Sequence, residues 1–180
     1  MKYYIDTEFI EYPCTIELIS LGIKCEDGRT FYAESNEFNI NKANDWVKEN
    51  VISKLLHQNK KPFIDKSLSN SFDMFSNNKR IVDIVKIFIG DDVPDFWGYY
   101  ADYDWVVFCW LFGGMIDLPK GWPMYCKDLK QLLDELGEEK ISDPVNEHNA
   151  LSDAIWNEQL HQRLSRKSIL KELKINAFNN

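Results

Sequence analysis

The chain has 180 residues, of which 44% are hydrophobic and 28% charged, a globular composition that argues against wholesale disorder. Acidic residues outnumber basic ones 29 to 21, and the resulting net charge of −8 disfavours a nonspecific nucleic-acid coat protein, which would be basic. An enzyme acting on a polyanion is not excluded, because carboxylates can hold divalent metals that attract phosphate. The length suits one domain, and no repeat or composition break marks a second. We therefore expect a single domain over residues 1–180, with a more basic tail from about residue 165.

We expect neither a signal peptide nor a membrane-spanning segment in this sequence. The acidic residue Asp6 follows Met1 too early for a signal peptide, and the longest nearly apolar stretch, residues 105–116, falls short of the roughly 20 residues that a bilayer span needs. The four cysteines form no C-x-x-C pair, which favours reduced thiols that lie mostly in the core. These observations predict a cytoplasmic protein with no membrane association.

The first third of the sequence predicts strands. Residues 2–10 are rich in β-branched and aromatic types, residues 15–24 repeat that composition, and residues 29–35 alternate in polarity. The pair Asp27-Gly28 is a strong hairpin-turn signal between the second and third of these segments. Three strands in succession predict an antiparallel meander.

Helical spacing then appears. Apolar residues recur at helical intervals in residues 41–56 and again in residues 79–89, with Gly90 as a plausible stop. Between them, residues 57–78 are polar and irregular and predict a surface excursion. Residues 94–100 predict another strand.

The last third mixes short strands and helices. Residues 104–112 favour a buried helix capped by Asp102 or Asp104, although their composition also suits a strand. A short strand around Tyr125-Cys126 precedes a helix that Asp128 caps and Gly137 ends. The final helix covers about residues 149–163, and the tail forms one more helix or a partner contact. The inner stripe of the final helix is expected to comprise Leu151, Ile155, Leu160 and Leu164. This order of elements predicts an α/β fold with one mixed sheet, an antiparallel meander plus parallel strands, flanked by helices and with the first strand central.

The first chemical signal is Asp6-Thr7-Glu8. Residues i and i+2 of a strand point to the same face, so both carboxylates project together from an apolar strand. Two acids on a central strand are costly unless something compensates their charge, and a divalent cation does so. An edge strand whose polar face meets water would account for the pair equally well.

The second signal is Asp104, between a predicted strand and a predicted helix. The carboxyl end of a parallel strand is where α/β folds place their sites. Asp104 is equally suited to simple helix N-capping, and Asp102 competes with it for a place at the site.

The third signal is His148 with Asp153, at the start of the final predicted helix. About one helical turn separates them, so both can border one cleft, and histidine can take a proton near neutral pH. A surface helix start, where the helix dipole favours acids, is the competing interpretation.

Together these signals resemble the DEDDh subfamily of DnaQ-like 3′–5′ exonucleases, which have a ribonuclease H-like fold. The matching stretches are DTEF at 6–9, ADYDW at 101–105 and HNALSDA at 148–154. The first 35 residues resemble the small exoribonucleases of the ribonuclease AS type, which are similar to ribonuclease T and act on 3′ adenylate-rich RNA. The resemblance extends to about residue 164. Aligning the aromatic-Asp pair of the family selects Asp104 over Asp102.

The resemblance implies a two-metal mechanism. Two Mg²⁺ ions, which Mn²⁺ can replace, would clamp the phosphodiester, and oxygen ligands suit such hard ions. By resemblance, Asp6 would bridge both ions, Glu8 and Asp153 would hold the ion that activates water, and Asp104 would bind the other. His148 would be the general base that takes the proton of that water. The products would be nucleoside 5′-monophosphates.

Candidate substrate contacts are Thr7 and Phe9 beside the metal acids and Tyr103 beside Asp104, because aromatic faces stack the bases of single strands. The preference for RNA over DNA, and a possible homodimer, come from the resemblance alone. Four alternatives stay open: an exonuclease acting on single-stranded DNA, a silent binding module of the same fold, an endonuclease, and a zinc hydrolase that uses His148 and His161.

Overall fold

The structure is a computed structural model that describes residues 1–144 and 146–178. The described residues form one mixed sheet of seven strands. These are β1 (Lys2–Tyr12), β2 (Thr15–Cys25), β3 (Thr30–Ser35), β4 (Phe63–Lys66), β5 (Phe72–Ser76), β6 (Asp95–Gly98) and β7 (Lys127–Asp128). Their spatial order is β4-β5-β3-β2-β1-β6-β7.

The predicted meander and the interior position of the first strand are confirmed. Strand β1 pairs antiparallel with β2 and parallel with β6, and β2 pairs antiparallel with β3. The turn at Asp27-Gly28 gives Gly28 a φ of 103°, which a residue without a side chain adopts readily. The α/β class with a mixed sheet flanked by helices is therefore confirmed.

Five α-helices are described: α1 (Asp45–Asn50), α2 (Asn78–Ile89), α3 (Asp102–Leu111), α4 (Leu129–Leu136) and α5 (Ala150–Phe178). The prediction of one helix over residues 41–56 is wrong. That stretch divides into α1 and two single 3₁₀ turns, Ile40–Lys42 and Ile52–Lys54. The Asn44 side chain accepts the Val47 amide and so starts a new helix, since asparagine favours caps over helix interiors.

The predicted irregular excursion at 57–78 is also wrong, because this segment contains β4 and β5. Strand β5 pairs in parallel with β3, and its side chains alternate between buried and half-buried positions. Phe72 and Met74 carry that alternation within a polar stretch, where it is too short to stand out as a periodic pattern.

Helix α3 is confirmed as a helix, but its predicted cap is wrong. Neither Asp102 nor Asp104 caps it; Ala101 occupies the cap position without a side-chain hydrogen bond. The carboxylate of Asp128 accepts the Ala101 amide at 2.8 Å and also caps α4 through the Gln131 amide at 2.9 Å. The short strand expected around Tyr125-Cys126 lies instead at Lys127–Asp128, where it pairs with β6.

The final helix is longer than predicted, since α5 runs without a break from Ala150 to Phe178 and the basic tail is part of it. Leu160 and Leu164 of its predicted inner stripe are buried, but Leu151 and Ile155 are only half-buried. The helix starts close to β2 because Gly22 lies there: a Cβ at this position would come within 2.1 Å of the Ala150 carbonyl oxygen. None of the helices among the described residues combines the length and the apolar character that crossing a bilayer requires.

Strand β1 presents different residues to its two faces. Tyr3 and Ile5 belong to the core that α2 and α3 cover, with Phe88 of α2 packed edge-on to Tyr3. Tyr4 faces the other way and hydrogen-bonds His161 of α5 at 3.0 Å. Because side chains alternate along a strand, Asp6 and Glu8 lie on the α5 face.

Candidate active site

Asp6 and Glu8 lie on β1 just beyond its parallel pairing with β6. That pairing runs from Lys2 to Tyr4, so the two acids follow at the carboxyl end of the parallel ladder. Their partners on β2 are Gly22 and Ser20, and the register shifts immediately after Glu8. Among the described residues neither carboxylate accepts a hydrogen bond or forms an ion pair, so their negative charge is uncompensated.

Helix α5 brings Asp153 to the same place. One ligand oxygen each from Asp6, Glu8 and Asp153 lies within 4.8 Å of the others. The helix is fixed there because the buried Asn157 side chain donates to the Ile5 carbonyl at 3.0 Å, one residue before Asp6. Residues almost 150 positions apart thus converge in one cluster.

Asp104 borders this cluster from α3. It is 7% exposed, and its Oδ1 accepts the Thr7 amide at 2.8 Å and the Thr7 hydroxyl at 2.5 Å. It lies outside the close group of three, but its charge acts on Asp6. Asp102 is exposed and lines a different groove, so the structure favours Asp104 for a place at the site.

Burial raises the pKa of all four carboxyl groups, and repulsion by the other acids of the cluster adds to the rise for Asp6 and Glu8. Desolvation is the largest cause in each case. The pKa of Asp6 rises well above its usual range, with Asp104, Glu8 and Asp153 as the repelling neighbours. The pKa of Glu8 rises to about 8, and those of Asp104 and Asp153 each rise to about 6. Four acids that resist ionisation together form a site that a cation would stabilise.

His148 precedes α5 and lies on the rim of the same cleft. The cleft has a volume of about 410 Å³, and Asp6, Glu8, Asp104 and Asp153 all line it with His148. His148 has a φ of 65°, in the left-handed region that residues with side chains seldom adopt. Its imidazole packs edge-on against the Trp46 indole, with ring centroids 4.9 Å apart.

The predicted substrate contacts separate into two kinds. Phe9 lines the cleft and stacks on Tyr103 at 5.9 Å with nearly parallel rings. Tyr103 is 47% exposed and lines the neighbouring groove, so the aromatic pair lies beside the cleft. Thr7, in contrast, is 5% exposed, and its hydroxyl holds Asp104. In the structure the Thr7 hydroxyl therefore positions the carboxylate of Asp104.

A sequence model of the 3′–5′ exoribonuclease Rv2179c-like domain matches residues 1–164. The chain belongs to this family. Two relatives from Mycobacterium tuberculosis are 35% identical over 158 residues, a match that covers 86% of this chain and 87% of each relative. They are named 3′–5′ exoribonuclease MT2234.1, from strain CDC 1551 / Oshkosh, and 3′–5′ exoribonuclease Rv2179c, from strain ATCC 25618 / H37Rv.

The prediction that the chain is an enzyme of the 3′–5′ exoribonuclease class is confirmed by this membership in the Rv2179c-like family. The alternative of a zinc hydrolase based on His148 and His161 finds no support in the geometry. His161 lies 3.0 Å from the Tyr4 hydroxyl and stacks near Trp97, and it does not line the cleft.

The donor set fits a hard divalent cation. Every close ligand is a carboxylate oxygen, which suits Mg²⁺ or Mn²⁺ better than the nitrogen and sulfur ligands typical of zinc sites. No ion pair with a lysine or arginine neutralises any of the four acids within the part of the chain that the structure describes. The acidic cluster of this exoribonuclease-family chain can therefore accept metal charge.

Sequence reasoning missed several residues of the cleft. Lys140, Tyr99, Tyr100, Trp156 and Asn157 line it. Lys54 lies close enough to lower the pKa of Glu8 and Asp153. Tyr99 and Tyr100 directly precede the ADYDW stretch, and Trp156 and Asn157 follow the HNALSDA stretch, so their place in the sequence was a usable signal. Lys54 and Lys140 lie in segments without a motif, and only the folded arrangement identifies them.

Proposed function

We propose that this chain hydrolyses single-stranded RNA from the 3′ end and releases nucleoside 5′-monophosphates, with two Mg²⁺ ions as cofactors and Mn²⁺ able to substitute. The observation that carries the proposal is the convergence of Asp6, Glu8 and Asp153 within 4.8 Å, with no ion pair to a lysine or arginine among the described residues, beside the buried Asp104. Membership in a 3′–5′ exoribonuclease family supports the substrate class and the direction. We assign the chain to the DEDDh subfamily, with a ribonuclease H-like fold in a single domain.

In this proposal Asp6, Glu8, Asp104 and Asp153 hold the ions. When bound, the ions supply Lewis-acid activation of water and stabilisation of the leaving oxygen. The chain prepares for this by keeping the four carboxylates close before any cation arrives, with Thr7 holding Asp104 through two hydrogen bonds. The raised pKa values mean that protons compete with metal for these oxygens.

His148 is the proposed general base. Its ring borders the cleft that Glu8 and Asp153 also line, so a ring nitrogen can take the proton of the attacking water. The bond between phosphorus and the 3′ oxygen breaks, that oxygen takes up a proton from solvent, and the imidazole returns its own proton to solvent. Phe9 and Tyr103 provide the aromatic surface on which bases of a single strand stack.

The net charge of −8 makes metal a requirement for substrate binding as well as for hydrolysis. Four clustered acids repel the phosphates of RNA unless cations intervene. Cytoplasmic location and homodimer formation remain predictions that the residues described above do not test.

The decisive experiment is degradation of 5′-labelled single-stranded RNA, single-stranded DNA and adenylate homopolymer with Mg²⁺, beside reactions with chelator. We expect stepwise 3′ shortening of RNA that stops in chelator and in the Asp6→Ala variant. Internal fragments would identify an endonuclease, preferred cleavage of DNA a deoxyribonuclease, and binding without cleavage a silent module. Unchanged turnover of folded Asp6→Ala would overturn the site.

A further inference from the structure

The loop before α5 carries His148 in an unfavourable backbone conformation. With a φ of 65°, the Cβ of His148 crowds the backbone where a glycine would not, so this conformation costs free energy. Contacts with the rest of the fold offset that cost and help to hold this residue in position. Two side chains from one distant segment, α1 and the 3₁₀ turn that follows it, contact the loop.

Trp46 of α1 is the first contact. Its neighbours Val47, Val51 and Ile52 pack into a small core with β1 and β2, but Trp46 itself points away and is 53% exposed. Its indole lies against the His148 imidazole at 4.9 Å and at 78° between the ring planes, an edge-to-face geometry that aromatic pairs prefer. A large apolar side chain on the surface thus has a specific aromatic partner on the cleft rim.

Lys54, at the end of the 3₁₀ turn, is the second contact. Its Nζ donates a hydrogen bond of 3.0 Å to the carbonyl of Glu147, the residue immediately before His148. The two residues are 93 positions apart in sequence, so this bond connects separate parts of the fold. Trp46 therefore contacts the loop at the His148 ring, and Lys54 contacts it at the carbonyl of Glu147.

We propose that Trp46 and Lys54 are positioning residues. They hold the imidazole of His148 at the place in the cleft from which it can reach the attacking water. This inference rests on the proposed function, since it takes His148 as the general base. A displacement of about 1 Å in a catalytic group can reduce turnover about a hundredfold. The rigid support comes from the small core beneath α1, in which Val51 is 2% exposed.

The test is a double-mutant cycle on the full chain, with single-stranded adenylate RNA and saturating Mg²⁺. We expect Trp46→Ala to lower kcat about tenfold or more while KM changes less than about threefold. In the His148→Ala background the same substitution should change kcat by less than about twofold, because its effect acts through the imidazole. A substitution that merely weakened folding would lower activity equally in both backgrounds.

Trp46→Phe serves as the conservative variant. It keeps an aromatic edge-to-face contact, and we expect it to recover most of the kcat that alanine loses. Tyr125→Ala is the matched control, because Tyr125 is an aromatic residue that is 61% exposed, similar to Trp46, but does not line the cleft. Equal losses in the Trp46 and Tyr125 alanine variants would overturn the proposal.

Lys54 is tested in the same way. Lys54→Met should lower kcat in the parent chain and Lys54→Arg should keep it, since arginine also donates to a carbonyl. In the His148→Ala background Lys54→Met should change kcat by less than about twofold, whereas a loss that arises from the charge of Lys54 near Glu8 and Asp153 would appear in both backgrounds. Lys48→Met is the control, as Lys48 is an exposed residue of α1 that pairs only with Asp45 among the described residues. If Lys54→Met remains as active as Lys48→Met, the proposed role of Lys54 is wrong.

The failures of the two proposals are distinguishable. If His148→Ala retains full kcat, the general base has been misassigned and the proposed function needs revision. If His148→Ala loses activity but Trp46→Ala and Lys54→Met retain it, the proposed function stands and only the positioning role is overturned. Additive losses in the double mutants would likewise show that Trp46 acts independently of His148.

Discussion

Two glutamates lie in one row across the sheet, Glu8 on β1 and Glu34 on β3, with Ser20 of β2 paired to both. Glu34 is 0% exposed, yet its carboxylate is satisfied. It accepts hydrogen bonds from the Leu56 amide at 2.6 Å, the Tyr32 hydroxyl at 2.8 Å and the His57 amide at 3.0 Å.

Glu8 has the opposite surroundings. Within the described chain no donor reaches its carboxylate, so burial, together with repulsion by Asp153 and Asp104, raises its pKa to about 8. Burial alone therefore does not identify a functional acid. The difference lies in the partners: three donors make Glu34 a structural anchor, whereas repelling neighbours make Glu8 a site that requires a cation.

The largest expected effect comes from the centre of the unsatisfied cluster. Asp6→Asn should reduce RNA hydrolysis about a thousandfold or more, because a proposed ligand shared by both ions is lost. Stability without metal should stay the same or increase, because one repelling charge is removed. Initial rates of RNA hydrolysis measure the loss of activity, and urea unfolding in chelator measures the stability without metal. Asp65→Asn on the exposed strand β4 is the control, and a large loss of stability in Asp6→Asn would contradict the comparison.

Glu34, whose carboxylate is fully hydrogen-bonded, should show the reverse result: its substitution should lower stability and leave activity intact. Glu34→Gln is expected to lower the free energy of unfolding by about 2–3 kcal/mol. The NH₂ group of the new glutamine would face the backbone amide of either Leu56 or His57, and that amide would then lack an acceptor. The folded variant should still hydrolyse RNA. Urea unfolding followed by tryptophan fluorescence gives the stability. A variant that folds normally but has lost its hydrolytic activity would place Glu34 in the site.

The third prediction concerns pH. The pKa of Glu8 is raised in the folded chain, so its ionisation lowers stability as pH rises from its ordinary value near 4.5 through about 8. In chelator, Glu8→Gln should therefore be more stable than the parent chain by up to about 4–5 kcal/mol at pH 8.5, and the difference should vanish near pH 4. Saturating Mg²⁺ should remove the advantage of the variant. A difference independent of pH would contradict the assigned pKa.

The smallest effect is expected at Ser20, between the two glutamates. Its hydroxyl is buried and has no hydrogen-bond partner among the described residues. Ser20→Ala should raise the free energy of unfolding by about 0.5–1 kcal/mol, because an unsatisfied polar group is removed. A loss of stability of similar size, measured by the same unfolding experiment, would show that the hydroxyl has a partner in solution.

Sequence reasoning located the chemical residues more accurately than it located the elements around them. The i, i+2 spacing of Asp6 and Glu8 placed them on one face, and the structure agrees. The segment at 57–78 was mispredicted because β5 is held by its parallel pairing with β3, a partner about 40 residues away. Short polar strands of this kind owe their conformation to the sheet rather than to their own composition.

The sequence by itself determined the local pattern: strands of period two, helices near period 3.6, and turn and cap residues. It also marked a few acids whose burial costs free energy unless a partner compensates their charge. Tertiary structure alone decided which of those acids meet, that Thr7 holds Asp104, that Asp128 accepts the Ala101 amide at the start of α3, and that Trp46 faces His148. The physical reason is range. Propensity and periodicity act over a few residues, whereas these contacts join positions about 25 to 150 residues apart and exist only once the helices have packed on the sheet.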